Sequence, residues 1–241
     1  MNTIICKDYN EASDKAYKML IHGLKNNPAA VIGLPTGSTP LKLYSCMVDG
    51  FSRGDFSYKN ITTFNLDEYA GIGQDDPNSY YRFMMDNLFS RIDINKENIS
   101  IPQGVGDLAE NCRAYDEKIA SSGGIDIQVL GIGRNGHIGF NEPGTPFEET
   151  THIAELHLHT REANSRFFSS LDEVPSQAVT MGIKNIMNAR EIILIAAGEE
   201  KAEAVYNTIS GPVTTDCPSS ILQMHPNLTI FIDRAAAARI K

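Results

Sequence analysis

Short runs of apolar residues alternate along the chain with longer segments in which apolar residues recur every three or four positions. The short runs are typical of buried strands and lie at 2–5, 29–34, 61–66, 125–130, 191–197 and 228–233. The longer segments predict helices at 11–26, 79–91, 107–121, 160–171, 180–188 and 199–210, with a further helix that begins at Pro40. This alternation predicts an α/β fold, a three-layer α/β/α sandwich of modified Rossmann-like type with a mostly parallel central sheet.

The length of the chain, 241 residues, suits one large α/β domain or two small ones. The sequence contains no linker rich in Pro, Gly or Ser and no internal repeat. We therefore expect a single domain over residues 1–241.

The net charge of −9 argues against a nucleic acid or an anionic membrane as partner, because both would repel an acidic surface. An anionic small molecule remains open as a substrate, since one pocket can be positive on an acidic protein. The amino terminus lacks the apolar run of a signal peptide, and no stretch reaches the ~20 apolar residues of a membrane span. The four cysteines are scattered, so we expect reduced thiols in a cytoplasmic protein.

A turn rich in Gly, Ser and Thr follows the second predicted strand, at 33–40 (GLPTGSTP). Such a turn before a helix directs unpaired backbone N–H groups and the positive end of the helix dipole toward one point, where a phosphate can bind. The turn lacks a Gly-Lys-Ser/Thr ending, so a nucleotide triphosphate site is not predicted. An ordinary turn whose hydroxyls cap the helix explains the same residues.

Asp67 comes directly after the third predicted strand, within the sequence NLDEY at 65–69. A carboxylate just past the end of a buried strand is placed to act as a base. An Asp at such a position is also common as a turn residue or a helix cap, and both interpretations stay open.

The segment 131–144 (GIGRNGHIGFNEPG) contains five glycines after a predicted strand. Three of them match the dinucleotide pattern G-x-G-x-x-G, but the residues that follow are too rich in Gly and Pro to form the helix that a dinucleotide site needs. A dehydrogenase is therefore not predicted. Asn135, His137 and Glu142 remain as a candidate acid/base group, with a solvated loop histidine as the alternative. Metal binding is not expected, because His152, His157 and His159 lie mostly on a predicted strand without acidic partners at ligand spacing.

Seven segments together resemble the glucosamine-6-phosphate deaminase (isomerase) family. They occur in the family's order and span almost the whole chain: GLPTGSTP at 33–40, NLDEY at 65–69, SYYRFM at 79–84, GIGRNGHIGFNEPGT at 131–145, TREANSRFF at 160–168, TMGIKNIMNARE at 180–191 and LQMHPN at 222–227.

The resemblance implies conversion of glucosamine 6-phosphate and water to fructose 6-phosphate and ammonia, in amino-sugar catabolism, without a metal or redox cofactor. Asp67 matches the family's general base, which moves a proton from sugar C2 toward C1 through a cis-enolamine. His137 matches the residue that opens the pyranose ring, assisted by Glu142 and by Asn135.

The substrate phosphate is then expected on the turn of Gly37, Ser38 and Thr39, with Arg166 and Lys201 as cationic partners. These assignments rest on the resemblance.

The sequence departs from many family members at Asn135, where they have Asp. Asn cannot exchange protons, but its carbonyl oxygen can accept from an imidazole N–H and orient the ring. We expect His137 to be held in place but less strongly polarised, with Glu142 as its main ionic partner.

A second departure is length, because the longer hexameric members have an extended carboxyl terminus and extra cationic residues for allosteric activation. Here the sequence ends at Lys241, and 144–153 contains no Arg or Lys. We expect a monomer, with a homo-oligomer as the alternative, that N-acetylglucosamine 6-phosphate does not activate. The loops 70–78 and 144–153 are lid candidates on composition.

Two other functions share parts of this pattern. A 6-phosphogluconolactonase-like hydrolase would have the same fold and a similar phosphate turn, without NLDEY and NGHIGFNEP in this form. A non-catalytic sugar-phosphate sensor would normally carry a DNA-binding segment, for which this chain has no room.

Overall fold

The computed structural model describes residues 1–165 and 168–240. Its strands are β1 (Asn2–Cys6), β2 (Val31–Leu34), β3 (Thr62–Asn65), β4 (Asp67–Tyr69), β5 (Ile99–Ser100), β6 (Ile127–Leu130), β7 (His152–Glu155), β8 (Gln177–Thr180), β9 (Glu191–Ala196) and β10 (Leu228–Asp233). Its α-helices are α1 (Tyr9–Asn26), α2 (Leu41–Ser52), α3 (Tyr80–Asn87), α4 (Leu108–Ser121), α5 (Leu158–Asn164), α6 (Ile183–Met187) and α7 (Ala202–Ser210).

The central sheet has the strand order β1-β10-β9-β6-β2-β3-β5, and each neighbouring pair in it is parallel. β2 and β6, near its middle, are buried along their whole length. Helices cover both of their faces, and this double burial is why the two strands are almost entirely apolar, with Gln128 of β6 as their one polar residue. The prediction of a mostly parallel sheet is confirmed.

Alternate side chains of the sheet enter two separate hydrophobic cores. Ile193 and Ile195 of β9 pack on one face with residues of α1 and α2. Ile192 and Leu194 of the same strand pack on the other face with residues of α4, α6 and α7. The predicted three-layer α/β/α sandwich is therefore confirmed.

A second sheet, which the sequence pattern did not predict, contains β4, β8 and β7 in antiparallel pairs. Its strands have only three or four residues, and β4 (Asp-Glu-Tyr) and β7 (His-Ile-Ala-Glu) contain charged side chains. Neither shows the apolar run or the strict alternation that identifies a strand. Asp67 pairs with Thr180 in this sheet, so the candidate base lies on a strand and not, as expected, in a loop.

Several predicted helices form shorter α-helices than the sequence indicated, among them α3 and α7. The helix predicted at 180–188 is observed only as α6. It begins later than predicted because Thr180 is still the last residue of β8 and Gly182 packs against the backbone of 149–150. The predicted helix at 160–171 is realised as α5, and Leu171 begins a short 3-10 helix.

All four cysteines are buried, and none of them forms a disulfide, consistent with a packing role. Within 1–165 and 168–240, no helix is both long enough and apolar enough to cross a membrane.

Candidate active site

The three segments with candidate chemistry follow β2, β3 and β6, which are neighbours in the central sheet. Because these strands are parallel, their carboxyl ends lie at the same edge, where open α/β proteins bind ligands. The segments line one cavity of about 510 Å³, to which the turn after β2, Asp67 and His137 all contribute. The cavity is therefore the candidate active site.

The turn after β2 presents its backbone to the cavity at the start of α2. Gly37 has φ of 89°, a left-handed conformation that suits glycine. The hydroxyl of Tyr9 donates to the carbonyl oxygen of Thr39 at 2.8 Å and accepts from the N–H of Lys42 at 3.0 Å, which fixes the turn from the side of α1. The N-cap of α2 is Pro40, which makes no side-chain capping bond. The turn thus leaves the helix N-terminus directed at the cavity, as a phosphate site requires.

Asp67 is the first residue of β4, and 5% of it is exposed. Burial, followed by the neighbouring Glu68 carboxylate, raises the pKa of Asp67 to about 7, while the hydroxyl of Thr36, 3.4 Å away, acts in the opposite direction. The Glu68 carboxylate accepts from the N–H groups of Tyr80 and Tyr81, so it serves the start of α3. Asp67 is thereby the carboxylate of this pair that remains available for proton transfer.

The glycines of the third segment shape its backbone around a histidine. A Cβ added to Gly133 would lie 2.3 Å from the His137 ring, so the ring packs directly on the glycine. A Cβ on Gly139 would lie 3.5 Å from Oδ2 of Asp67, so the segment passes beside the candidate base. The glycines therefore allow close approach, and the two acid/base groups line one cavity.

Glu142 is buried and accepts from two side chains, the hydroxyl of Thr160 at 2.5 Å and the amide of Asn135 at 2.7 Å. Its Oε2 lies 3.6 Å from Nδ1 of His137, an ion-pair distance that is too long for a hydrogen bond. Burial raises the pKa of Glu142, but the His137 ring, Thr160 and Asn135 together outweigh it and lower the pKa to about 2. Glu142 is thus an ionised carboxylate beside the imidazole.

Asn135 differs from the expectation that its carbonyl oxygen would orient the His137 ring. Its amide nitrogen donates to Glu142 and lies 2.9 Å from Nε2 of His159, while its oxygen accepts from the backbone N–H of His137 at 3.2 Å. Asn135 therefore holds the Glu142 carboxylate and the loop backbone in place. The His137 ring is positioned by its packing on Gly133 and not by Asn135.

Of the two predicted cationic partners of the phosphate, the structure describes only one. Lys201, in a 3-10 turn before α7, lines the cavity together with Ser38 and Thr39. Arg166 lies outside the described residues.

Several residues that sequence reasoning missed contact the candidate site. Thr160 lies in α5 and carries no signal of its own, because its partner Glu142 is 18 positions away. His157 and His159 were expected mostly on a strand without acidic partners, and this expectation was wrong. His157 precedes α5 and His159 lies within it, and both approach Glu142 or its partner Asn135.

The two lid candidates do not line the cavity in the described part of the chain. Residues of α5, within 159–164, line that side of the cavity instead. The role of the two loops as lids stays a prediction.

Comparison with known proteins places the chain among sugar-phosphate enzymes. The profile of the family described as glucosamine-6-phosphate isomerases/6-phosphogluconolactonase matches residues 9–231. The chain is 49% identical, over 100% of its length and 95% of the relative's, to a glucosamine-6-phosphate deaminase of Thermoanaerobacter pseudethanolicus. It is 47% identical to a protein of the same name from Clostridium novyi, with 100% of both chains covered.

Solved structures show the same relationship. A structure described as a monomeric glucosamine-6-phosphate deaminase has a TM-score of 0.97, with 46% identity and 99% of each chain covered. A 6-phosphogluconolactonase of Trypanosoma brucei has a TM-score of 0.80 at 18% identity, over 100% of this chain and 98% of that one, a likeness of fold alone.

Proposed function

The chain belongs to the glucosamine-6-phosphate isomerase/6-phosphogluconolactonase family, and on this basis we propose that it is a glucosamine-6-phosphate deaminase. It converts glucosamine 6-phosphate and water to fructose 6-phosphate and ammonia. Relatives at 45–49% identity carry that name. The lactonases among the solved structures are similar at 16–23% identity, which supports a shared fold and no more.

One observation carries the proposal. A buried carboxylate, Asp67, with its pKa raised to about 7 lines the same cavity as a histidine whose partner Glu142 has its pKa lowered to about 2. Carboxylates whose environments separate their pKa values in this way divide acid and base roles between them. Opening a sugar ring and then moving a proton between two carbons needs two such groups.

The first step is ring opening, which we assign to His137. Its imidazole takes the proton of the C1 hydroxyl and returns one to the ring oxygen as the C1–O5 bond breaks. Glu142, held ionised by Thr160 and Asn135, stabilises the imidazolium that forms in between. Asn135 acts here as a positioning residue for Glu142.

The second step is the transfer of a proton from C2 to C1, which we assign to Asp67. Its carboxylate removes the C2 proton while the C1 oxygen takes up a proton from solvent, which forms a cis-enolamine. The Asp67 carboxyl then protonates C1, and the nitrogen releases one proton to solvent to give the 2-imino sugar. Water adds to this imine and ammonia leaves, which balances the reaction. A base with a pKa near 7 suits this exchange, because it is accessible in both protonation states at neutral pH.

The substrate phosphate is proposed to bind at the turn of Gly37, Ser38 and Thr39. The N-terminus of α2 supplies backbone N–H groups and a positive dipole end there, and Lys201 lines the same cavity. Arg166 is proposed as a second cation on the family resemblance. The whole chain would form one catalytic domain that acts in amino-sugar catabolism.

The proposal is tested by offering the two substrates of the family to the purified chain. With glucosamine 6-phosphate we expect ammonium and fructose 6-phosphate in equal amounts. With 6-phosphogluconolactone we expect no hydrolysis above the spontaneous rate. Turnover of the lactone alone would replace the deaminase by a lactonase, and turnover of neither would remove the enzyme assignment.

A further inference from the structure

Three imidazoles surround the carboxylate of Glu142. Nδ1 of His137 and Nδ1 of His157 each lie 3.6 Å from its Oε2. Ligand-type atoms of His137, Glu142 and His159 all lie within 4.8 Å of one another. The proposed reaction uses His137 and Glu142, but it gives no role to His157 or His159.

Two atoms of this group lie close to one amide nitrogen. The amide nitrogen of Asn135 lies 2.7 Å from Oε2 of Glu142 and 2.9 Å from Nε2 of His159. Nδ1 of His137 is buried and has no hydrogen-bond partner among the described residues. A small group of positive character thus occupies a position that two acceptor atoms face, and a third ring nitrogen nearby is unsatisfied.

We propose that His137, Glu142 and His159 form a reversible binding site for Zn²⁺, and that the bound ion inhibits the enzyme. Two imidazoles and one carboxylate are a ligand set that zinc takes with three protein groups and one open position. Imidazole ligands favour zinc over Mg²⁺ or Ca²⁺, which prefer oxygen. The inhibition rests on the proposed function, because the ion would occupy His137 and Glu142, whereas the binding itself does not.

The ligand atoms must approach one another for binding. Zinc bonds of about 2.0–2.2 Å place tetrahedral ligands about 3.3 Å apart, closer than the 4.8 Å limit within which these three lie. His159 is exposed in α5, so its ring can rotate at little cost, while Glu142 and the His137 ring stay close to where they are. The side chain of Asn135 would move aside, since it occupies the position of the ion.

The binding is tested by titrating ZnCl₂ into the full chain in a calorimeter, without substrate. We expect one ion per chain for the wild type and at least ~10-fold weaker binding for His159→Gln, as expected for the loss of a ligand. Gln retains an acceptor for the Asn135 amide, so the loop keeps its hydrogen bond. His22→Gln, at an exposed histidine of α1, is the matched control and should bind like the wild type.

The inhibition is tested in the deaminase assay with ZnCl₂, MgCl₂ or neither, each variant being compared with its own metal-free rate. We expect Zn²⁺ to raise the apparent KM of the wild type, a chelator to reverse this, and His159→Gln to be at least ~10-fold less sensitive. An absence of one-to-one binding, or a His159→Gln variant that binds Zn²⁺ like the wild type, would overturn the site. Binding without any deaminase turnover would instead contradict the proposed function and leave the site standing.

Discussion

At the scale of single residues, the assignment depends on how burial acts on two carboxylates. Asp67 is buried beside Glu68 with one weak donor, and its pKa is raised to about 7. Glu142 is buried as well, but three side chains favour its charged form and lower its pKa to about 2. The sequence identified both residues, but it did not show the burial that raises the pKa of Asp67 or the Thr160 and Asn135 contacts that help lower the pKa of Glu142, because the fold creates them.

The raised pKa of Asp67 predicts a stability cost that grows with pH. The pKa of about 7 in the folded protein exceeds the ordinary value of 3.8 for an exposed Asp, so the fold favours the protonated form. This contribution to the free energy of unfolding is present at low pH and is lost as pH rises toward 7, at about 1.4 kcal/mol per pH unit at most.

Asp67→Asn cannot ionise, and its amide oxygen can still accept from Thr36. We expect its melting temperature to exceed that of the wild type at pH 8, by several degrees, with the difference shrinking as pH falls toward 4. Thermal unfolding of both proteins across this range measures it. Asp75→Asn, at an exposed carboxylate, controls for loss of charge alone. A difference that did not change with pH would show that burial of Asp67 is not its cause.

At the scale of elements, the sequence predicted the central sheet and missed the small one. Predominantly apolar runs such as β2 and β6 indicate strands that are covered on both faces. β4, β7 and β8 are short and carry charged or polar side chains, so they lack the pattern that identifies a strand, and β4 holds the candidate base. The site was predictable wherever a residue follows a buried strand, and unpredictable where α5 supplies a partner from a distant part of the chain.

The third segment gives a prediction about its glycines. Gly133→Ala places a methyl group 2.3 Å from the His137 ring, which must move away from its position. We expect kcat to fall about 100-fold through this displacement and the free energy of unfolding to fall by about 1–3 kcal/mol. Steady-state kinetics and denaturant unfolding measure the two effects.

Gly73→Ala is the control for this change, because its methyl group meets nothing within 4 Å. It should leave both quantities close to those of the wild type. If Gly133→Ala also kept wild-type kcat, the ring would not depend on this glycine for its position.

At the scale of the whole molecule, the chain is proposed to act as a monomer without allosteric control. A relative with a TM-score of 0.97 and 46% identity is described as monomeric, and this likeness supports the proposal. We expect light scattering to give a mass near 26.5 kDa. We also expect hyperbolic kinetics that added N-acetylglucosamine 6-phosphate does not accelerate. Sigmoidal kinetics that N-acetylglucosamine 6-phosphate makes hyperbolic would contradict the two kinetic expectations.

The central claim is that Asp67 moves the proton between C2 and C1 while His137 and Glu142 open the ring. Its most direct test is the rate of ammonium release from glucosamine 6-phosphate by the wild type and by Asp67→Asn at pH 8. We predict that kcat falls at least ~100-fold in the variant, as expected for loss of a general base, with KM within a few-fold of the wild type. A variant that releases ammonium at the wild-type rate would contradict the claim.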